Sequence, residues 1–344
     1  MTKQMKESSN EYIELDKVKI NDQISSTGEY STDGVYIKKW KLLNEDGEEN
    51  TSRAKDKYIS VIEKNGSKYS GTLDNQFHRD GYGLEIYKNG DKYFGKFNSG
   101  LRNDNGIYYF SSVKNNENSE NVQTECYLGN WKDNLKDKIG IYIWMDQPEN
   151  NYQYDYANFD AYVGEFEDEK YLRGTYLTKI KNDFYLYHGN FDKEGKKSDN
   201  DAYFYSSKLN KIFHGEINKD LLVCGYMGTF DEDGEIVIEL VYCKFNDDGS
   251  VNDVIVEKQL NEEDIEDEKK KIEAFRSIIF GEDYFGKIYN KFARIKIKID
   301  RLGNVERILE REVYIKEVDK ILNKYMKKNI YYNIEEKFFG REMK

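Results

Sequence analysis

A short pattern of aromatic, any residue, glycine, any residue, apolar returns along this chain, and a chain that repeats itself folds by stacking copies of one small unit. It occurs at Tyr69, Gly71 and Leu73; at Tyr93, Gly95 and Phe97; at Tyr127, Gly129 and Trp131; at Tyr162, Gly164 and Phe166; at Tyr187, Gly189 and Phe191; and at Phe213, Gly215 and Ile217. About a dozen residues after each anchor glycine stands a second small residue, Gly83, Gly106, Gly140, Gly174, Ala202 or Gly228. Tyr108, Tyr142, Tyr176, Phe204 and Phe230 follow two positions later, and only Glu85 breaks the aromatic rule there.

These spacings belong to strands, in which residues i, i+2 and i+4 point to one face. Each anchor therefore puts a ring, a bare stretch of backbone and an apolar side chain on the same face. A glycine weakens a strand by itself, but beside a neighbouring strand that carries a ring it leaves room for that ring to lie over the backbone. Asn65-Gly66 and Asn89-Gly90 stand just before Tyr69 and Tyr93, and their chemistry predicts tight two-residue hairpin turns there. The repeating unit is a β-hairpin of roughly 24 residues.

These residues resemble the MORN repeat (membrane occupation and recognition nexus), which joins a Tyr-x-Gly-x-aromatic anchor to a Gly-x-Gly half. Gly81 and Gly83 match the second half in full, whereas Gly106, Gly140 and Ala202 keep only its later small position. The resemblance covers residues 58–246, about six repeats, with residues 1–57 before them as an irregular capping segment and 247–344 after them. It implies a mainly β fold, an elongated single-layer antiparallel meander of hairpins with one aromatic groove, followed by a C-terminal α+β extension with helices.

The anchor glycines lie 24, 34, 35, 25 and 26 residues apart, so two steps carry insertions. One is Ser111–Thr124, polar, Asn-rich and expected to be a mobile loop. The other is Met145–Asp160, which holds the single proline, Pro148, with Tyr152, Tyr154, Tyr156 and Phe159. Both are expected to project side by side, and the aromatic one suits either covering a sheet edge or binding a partner. Before the repeats, Val35, Tyr36, Ile37 and Trp40 predict a capping strand or hairpin, which repeat arrays need at their ends. After them, residues 262–280 open with acids and turn basic at Lys269–Lys271, the order a helix dipole favours. Ala293–Asp300 alternates and Gly303-Asn304 precedes Val305–Leu309, which predicts one more hairpin. Val318, Ile321, Leu322 and Tyr325, followed by Ile330 and Ile334, predict an amphipathic helix.

Composition narrows the chemistry. Aromatic residues make up 15% of the 344, 30 of them Tyr, which marks a folded chain with a tyrosine-rich core although 34% of residues are charged. The net charge of -12 repels phosphate backbones, so no nucleic-acid partner is expected. With no apolar run of the ~18 residues that span a bilayer and no apolar core near Met1, an intracellular protein is expected. Cys126, Cys224 and Cys243 form no CxxC pair; Cys126 precedes an anchor, and Cys224 and Cys243 stand in apolar contexts that read as small buried residues. His188 and His214 occupy the same variable position in successive repeats, on the face opposite the anchor rings and roughly 10 Å apart, too far to share a zinc ion. The acids at 262–268 lack the ligand order of a calcium loop, and no Gly-rich loop is followed by Lys-Ser/Thr. Some MORN arrays are fused to lipid kinases or methyltransferases, but the segment after the repeats is too short for the first and carries no catalytic signature. A non-enzyme without metal or cofactor is the expectation.

What remains is surface. Phe97, Trp131, Phe166 and Phe191 share one repeat position and are expected to line a groove that accepts an amphipathic helix or extended peptide, from another protein or from the chain's own C-terminal helix. Tyr152, Tyr154 and Tyr156 offer a second surface. The plainer alternative makes the groove rings the sheet's own core. A single-layer sheet leaves a face to cover, which also suits a homodimer. The expected role is a protein-binding scaffold and, by resemblance, a structural part of a ciliary, axonemal or cytoskeletal assembly in the cytoplasm, cytoskeleton or cilium. The alternative is peripheral membrane or phosphoinositide recognition through the Lys and Arg residues of Tyr314–Lys344. Against it stand the acidic balance and the lack of a lipidation signal at either end.

Overall fold

The computed structural model describes residues 19–20, 26–30, 37–42, 59–62, 67–74, 78–111, 113–114, 121–148, 158–180, 183–231, 233, 235–245, 251–257, 261–280, 298, 301 and 308–327. The chain forms two compact units. Unit 1 comprises Met1–Ser112, Glu125–Lys136 and Asn290–Lys327, and unit 2 comprises Val113–Thr124, Asp137–Tyr289 and Lys328–Lys344. Both are mainly β, with antiparallel strands that pair in chain order.

In unit 1, β1 (Lys19–Ile20) lies beside β4 (Ile59–Ile62). A separate hairpin joins β2 (Ser26–Tyr30) and β3 (Ile37–Leu42), with Gly28 opposite Trp40, where a capping hairpin was expected. From β4 the meander runs through β5 (Lys68–Leu73), β6 (Arg79–Ile86), β7 (Lys92–Asn98) and β8 (Leu101–Tyr109). Beyond β9 (Val113–Lys114), β10 (Asn121–Lys132) pairs with β8. The chain returns to unit 2, to which β9 and the first four residues of β10 already belong, within β11 (Leu135–Pro148) and continues as β12 (Asn158–Glu167), β13 (Lys170–Ile180), β14 (Asp183–Asn190), β15 (Asp199–Ser206), β16 (Lys211–Asn218), β17 (Leu221–Phe230), β18 (Ile236–Phe245) and β19 (Val251–Glu257). From β11 to β19 each strand pairs with the next. Helix α1 (Glu262–Phe280) packs on β17 and β18, and α2 (Ile308–Lys327) packs on β6 and β8 of unit 1. Among the described residues, no helix is long and apolar enough to cross a membrane.

The hairpin turns follow from local chemistry. Asp133-Asn134, Asp168-Glu169 and Lys219-Asp220 each put two consecutive residues at positive φ, as does Ser99-Gly100, and this geometry matches the strand twist. Asn89-Gly90 does something else. Only Gly90 has positive φ (92°), its N–H bonds the Tyr87 carbonyl at 2.9 Å, and Tyr87 N–H bonds Asp91 at 2.8 Å. The expected two-residue turn is therefore a longer loop, closed by a glycine in the left-handed region. Asn65-Gly66 lies outside the described residues.

Three further expectations change. The Asn-rich insertion is partly strand, with Val113 opposite Gln123 and Lys114 opposite Val122. The hairpin expected near Val305–Leu309 gives way to helix, since Ile308 and Leu309 open α2 and Lys298 is also helical. In α2 the buried residues Ile315, Val318 and Leu322 fall three and four apart, so the helical stripe outweighs the short β-like alternation before it. Cys224 is exposed and Cys243 half-buried, and Cys126 is the buried one of the three. Ile330 and Ile334 lie outside the described residues.

Candidate functional site

The face that carries the anchors is built around paired glycines. Gly71 lies opposite Gly83, Gly83 opposite Gly95, Gly95 opposite Gly106 and Gly106 opposite Gly129. Unit 2 repeats the ladder with Gly140, Gly164, Gly174 and Gly189. A tyrosine lies over the pairs Gly71/Gly83, Gly95/Gly106 and Gly164/Gly174, and it belongs to the anchor's own strand, two residues before the anchor glycine. A Cβ on Gly83 would stand 2.6 Å from the Tyr69 ring, and one on Gly106 would stand 2.5 Å from the Tyr93 ring. Tyr69, Tyr93 and Tyr162 thus each cover their own glycine and the one across the ladder, and Tyr187 covers Gly189.

The hydroxyl explains why the ring lies along its strand. Tyr69 donates to the Thr72 carbonyl at 2.8 Å, Tyr93 to Lys96 at 2.9 Å, Tyr127 to Asn130 at 2.9 Å, Tyr162 to Glu165 at 2.8 Å and Tyr187 to Asn190 at 2.5 Å. In β5, β7 and β12 the register shifts between the anchor glycine and the apolar residue after it, at the residue whose carbonyl receives the hydroxyl. The bulge releases that carbonyl from the ladder, and a buried phenol needs such an acceptor. The sixth anchor, Phe213, has no hydroxyl.

The apolar anchor residues close the stack edge-on. Phe97, Trp131, Phe166 and Phe191 are only 3%, 4%, 3% and 8% exposed. Phe97 meets Tyr93 at 5.0 Å and 86°, Trp131 meets Tyr127 at 5.1 Å and 87°, and Phe166 meets Tyr162 at 5.1 Å and 88°. Cationic side chains cap these rings. Arg79 lies over Tyr69 and Phe97 and pairs with Glu85 at 2.7 Å, which accounts for the one non-aromatic residue at that repeat position. Arg102 lies 4.4 Å from the Trp131 ring, and its guanidinium bonds the Asn134 carbonyl at 2.9 Å. Lys136 covers Tyr127, and Lys197 covers Tyr176 and Tyr187. The four groove residues are thus packed within the chain itself, and Tyr152, Tyr154 and Tyr156 lie outside the described residues.

Both helices sit on the opposite face. In unit 1, Tyr82 of β6 stacks on Phe94, and burial together with Asp319 of α2 holds its phenol above the usual range. In unit 2, Phe275 of α1 stacks on Tyr203 at 4.4 Å, and Ile272 reaches the backbone at Gly228. The C-terminal helices therefore do not use the ring groove that was expected to receive one. Rings and cations already fill that side.

The opposite face of unit 2 also holds both histidines, as their repeat position predicts. Thr175 Oγ1 lies 2.8 Å from His188 Nδ1. His214 is set between two carboxylates, with Glu268 of α1 2.7 Å from Nδ1 and Asp201 of β15 2.7 Å from Nε2. Tyr203 stacks on the imidazole at 4.2 Å, and Glu268 also accepts from Lys271 at 2.7 Å. Sequence reasoning placed His214 on this face but could not find Glu268, which is 54 residues away. The available signal was an acid on the helix stripe continued by Ile272 and Phe275.

No family model matches the chain, and no curated protein matches it. The geometry itself therefore carries the functional reading.

Proposed function

We propose that this chain is a non-catalytic protein-binding scaffold. The carrying observation lies where the ring pattern stops. Gly225 of β17 is covered by the Phe213 ring and lies opposite Val241, which lies opposite Val256 of β19. The anchor face thus continues onto β18 and β19, where its described side chains carry no ring: Val237, Glu239, Val241 and Cys243 from β18, and Val254 and Val256 from β19. There Val237, Val254 and Val256 are 55%, 53% and 45% exposed. Exposed β-branched side chains on a sheet face suit contact with an apolar surface of another protein. The resemblance to MORN repeats supports placing the scaffold in a ciliary, axonemal or cytoskeletal assembly, and the partner's contribution would be an apolar helix or strand face.

The test compares the wild type with Val254→Glu combined with Val256→Glu. Both side chains are exposed, so the variant should melt with the wild type, while specific protein partners recovered from the native cell should fall at least tenfold, by the ~1.4 kcal/mol per decade rule. Unchanged recovery would remove this surface from the reading. Wild-type sedimentation with anionic vesicles should be weak and vanish as salt rises, given the net charge of -12. Tight, salt-resistant binding to phosphoinositide vesicles would replace the scaffold with the membrane alternative.

A further inference from the structure

Glu268 is a carboxylate on the buried stripe of α1, at the helical spacing of Ile272 and Phe275, where a sheet-packed helix ordinarily carries an apolar side chain. Its partner His214 is also buried, and a carboxylate oxygen stands 2.7 Å from each ring nitrogen. An ionised carboxylate only accepts hydrogen bonds, so an imidazole flanked in this way must donate from both nitrogens, and only the doubly protonated ring does so. One proton thus ties β15, β16 and α1 together beside the Tyr203–Phe275 stack.

We propose that His214 is a proton-operated latch: when protonated it holds α1 on the sheet of unit 2, and when deprotonated it frees the helix and uncovers the apolar stripe of Ile272 and Phe275. Loss of the proton sets a ring lone pair against one carboxylate, buried Glu268 at Nδ1 or exposed Asp201 at Nε2, and either way removes the positive charge that faces buried Glu268, which weakens the packed state. The charged and titratable groups around the ring are Asp201 and Tyr203 from β15, Glu216 on its own strand, and Cys224 and Tyr226 from β17. From α1 come Asp264, Asp267, Glu268 and Lys271.

Burial works against the charged ring, but the hydrogen bonds and charges of Glu268 and Asp201 outweigh it and raise His214 above 6.5. Burial would raise Glu268, yet bonds from His214 and Lys271 hold it below the ordinary value. Lys271 is raised, chiefly by Glu268, and burial raises Tyr203 and Tyr226. These four groups keep their charge states while the ring titrates. Because the docked pKa is the higher one, the latch is fully closed below the undocked value of about 6.5. Docking then weakens by up to about tenfold per pH unit until the docked pKa is passed, and is level beyond it.

Hydrogen–deuterium exchange of the full chain between about pH 6 and 9, corrected for intrinsic exchange, reads the latch on peptides within 262–280, with α2 as internal reference. Protection of α1 should fall with rising pH while that of α2 stays level. His214→Gln should give low, pH-independent protection of α1, and Cys224→Ser should leave the wild-type profile unchanged. If His214→Gln fails to fold, Asp201→Asn serves instead, since the Asp201 side chain is 66% exposed; it should move the midpoint to lower pH. A flat wild-type profile, a wild-type slope in His214→Gln, an unmoved midpoint in Asp201→Asn, or a lost slope in Cys224→Ser would each overturn the proposal.

Discussion

Replacing Gly95 by alanine tests the ring-over-glycine arrangement with one carbon atom. In an ordinary strand the change stabilises by roughly 0.5–1 kcal/mol, because glycine loses more backbone freedom on folding. Here the new Cβ would stand 2.5 Å from the Gly106 Cα and 2.6 Å from Tyr93 Cζ, and closer still to the Tyr93 hydroxyl. The ring must leave, and the Gly106 backbone must also retreat, which parts β7 from β8. Overpacking costs about 1–3 kcal/mol, and the lost hydrogen bond to the Lys96 carbonyl costs about 1 kcal/mol. Partial exposure of a ring that is now fully buried adds to this, so the net loss should be about 2–5 kcal/mol. Urea unfolding followed by Trp131 fluorescence reports on the site directly, because the indole lies 5.5 Å from the Tyr93 ring. Trp40 and Trp144 would be replaced by Phe in both proteins. Gly195→Ala is the comparison: it has φ of 80° and open space around the new carbon, so only the backbone cost of about 1 kcal/mol applies. A Gly95→Ala protein as stable as the parent would refute the arrangement.

Other outcomes follow from the same geometry. Tyr127→Phe keeps the ring and removes the hydroxyl's bond to Asn130, and should lower stability by about 1 kcal/mol in the same urea assay. Trp131→Ala should cost about 3–5 kcal/mol, as expected of a core ring, and a near-neutral result would restore it as a free surface residue. Lys138 is exposed and held at φ of 52°, so Lys138→Gly should raise the melting temperature through a gain of up to about 1 kcal/mol, whereas Gly81→Ala, at φ of 75°, should lower it.

The alternation of ring, glycine and apolar residue was enough to read strands, hairpins and the shared face of every anchor, because a period of two has no other regular solution. It was also enough to put His188 and His214 on the other face. The same pattern could not say how a ring would lie. The tyrosine was expected over a neighbouring strand's glycine, and it also covers its own because its hydroxyl seeks the carbonyl that a bulge releases at Thr72, Lys96 or Glu165. The left-handed φ of Asp104 and Lys138, at the place of Gly81 in the other repeats, was likewise hidden, since neither residue type announces that conformation.

Periodicity by itself determined the strands, the repeating unit and the faces of the first five repeats, because each depends on residues a few positions apart and on the geometry of one strand; in the sixth, Gly225 rather than Gly228 lies opposite Gly215, and Gly228 faces α1. Tertiary structure decided how those faces are filled. Arg79, Arg102 and Lys197 cap the anchor rings from other strands or turns, and that covering leaves α1 and α2 only the opposite face of each sheet. Glu268 meets His214 there because the helix packs across the strands. Such a contact depends on where distant segments come to rest, and no local pattern of side chains carries that information.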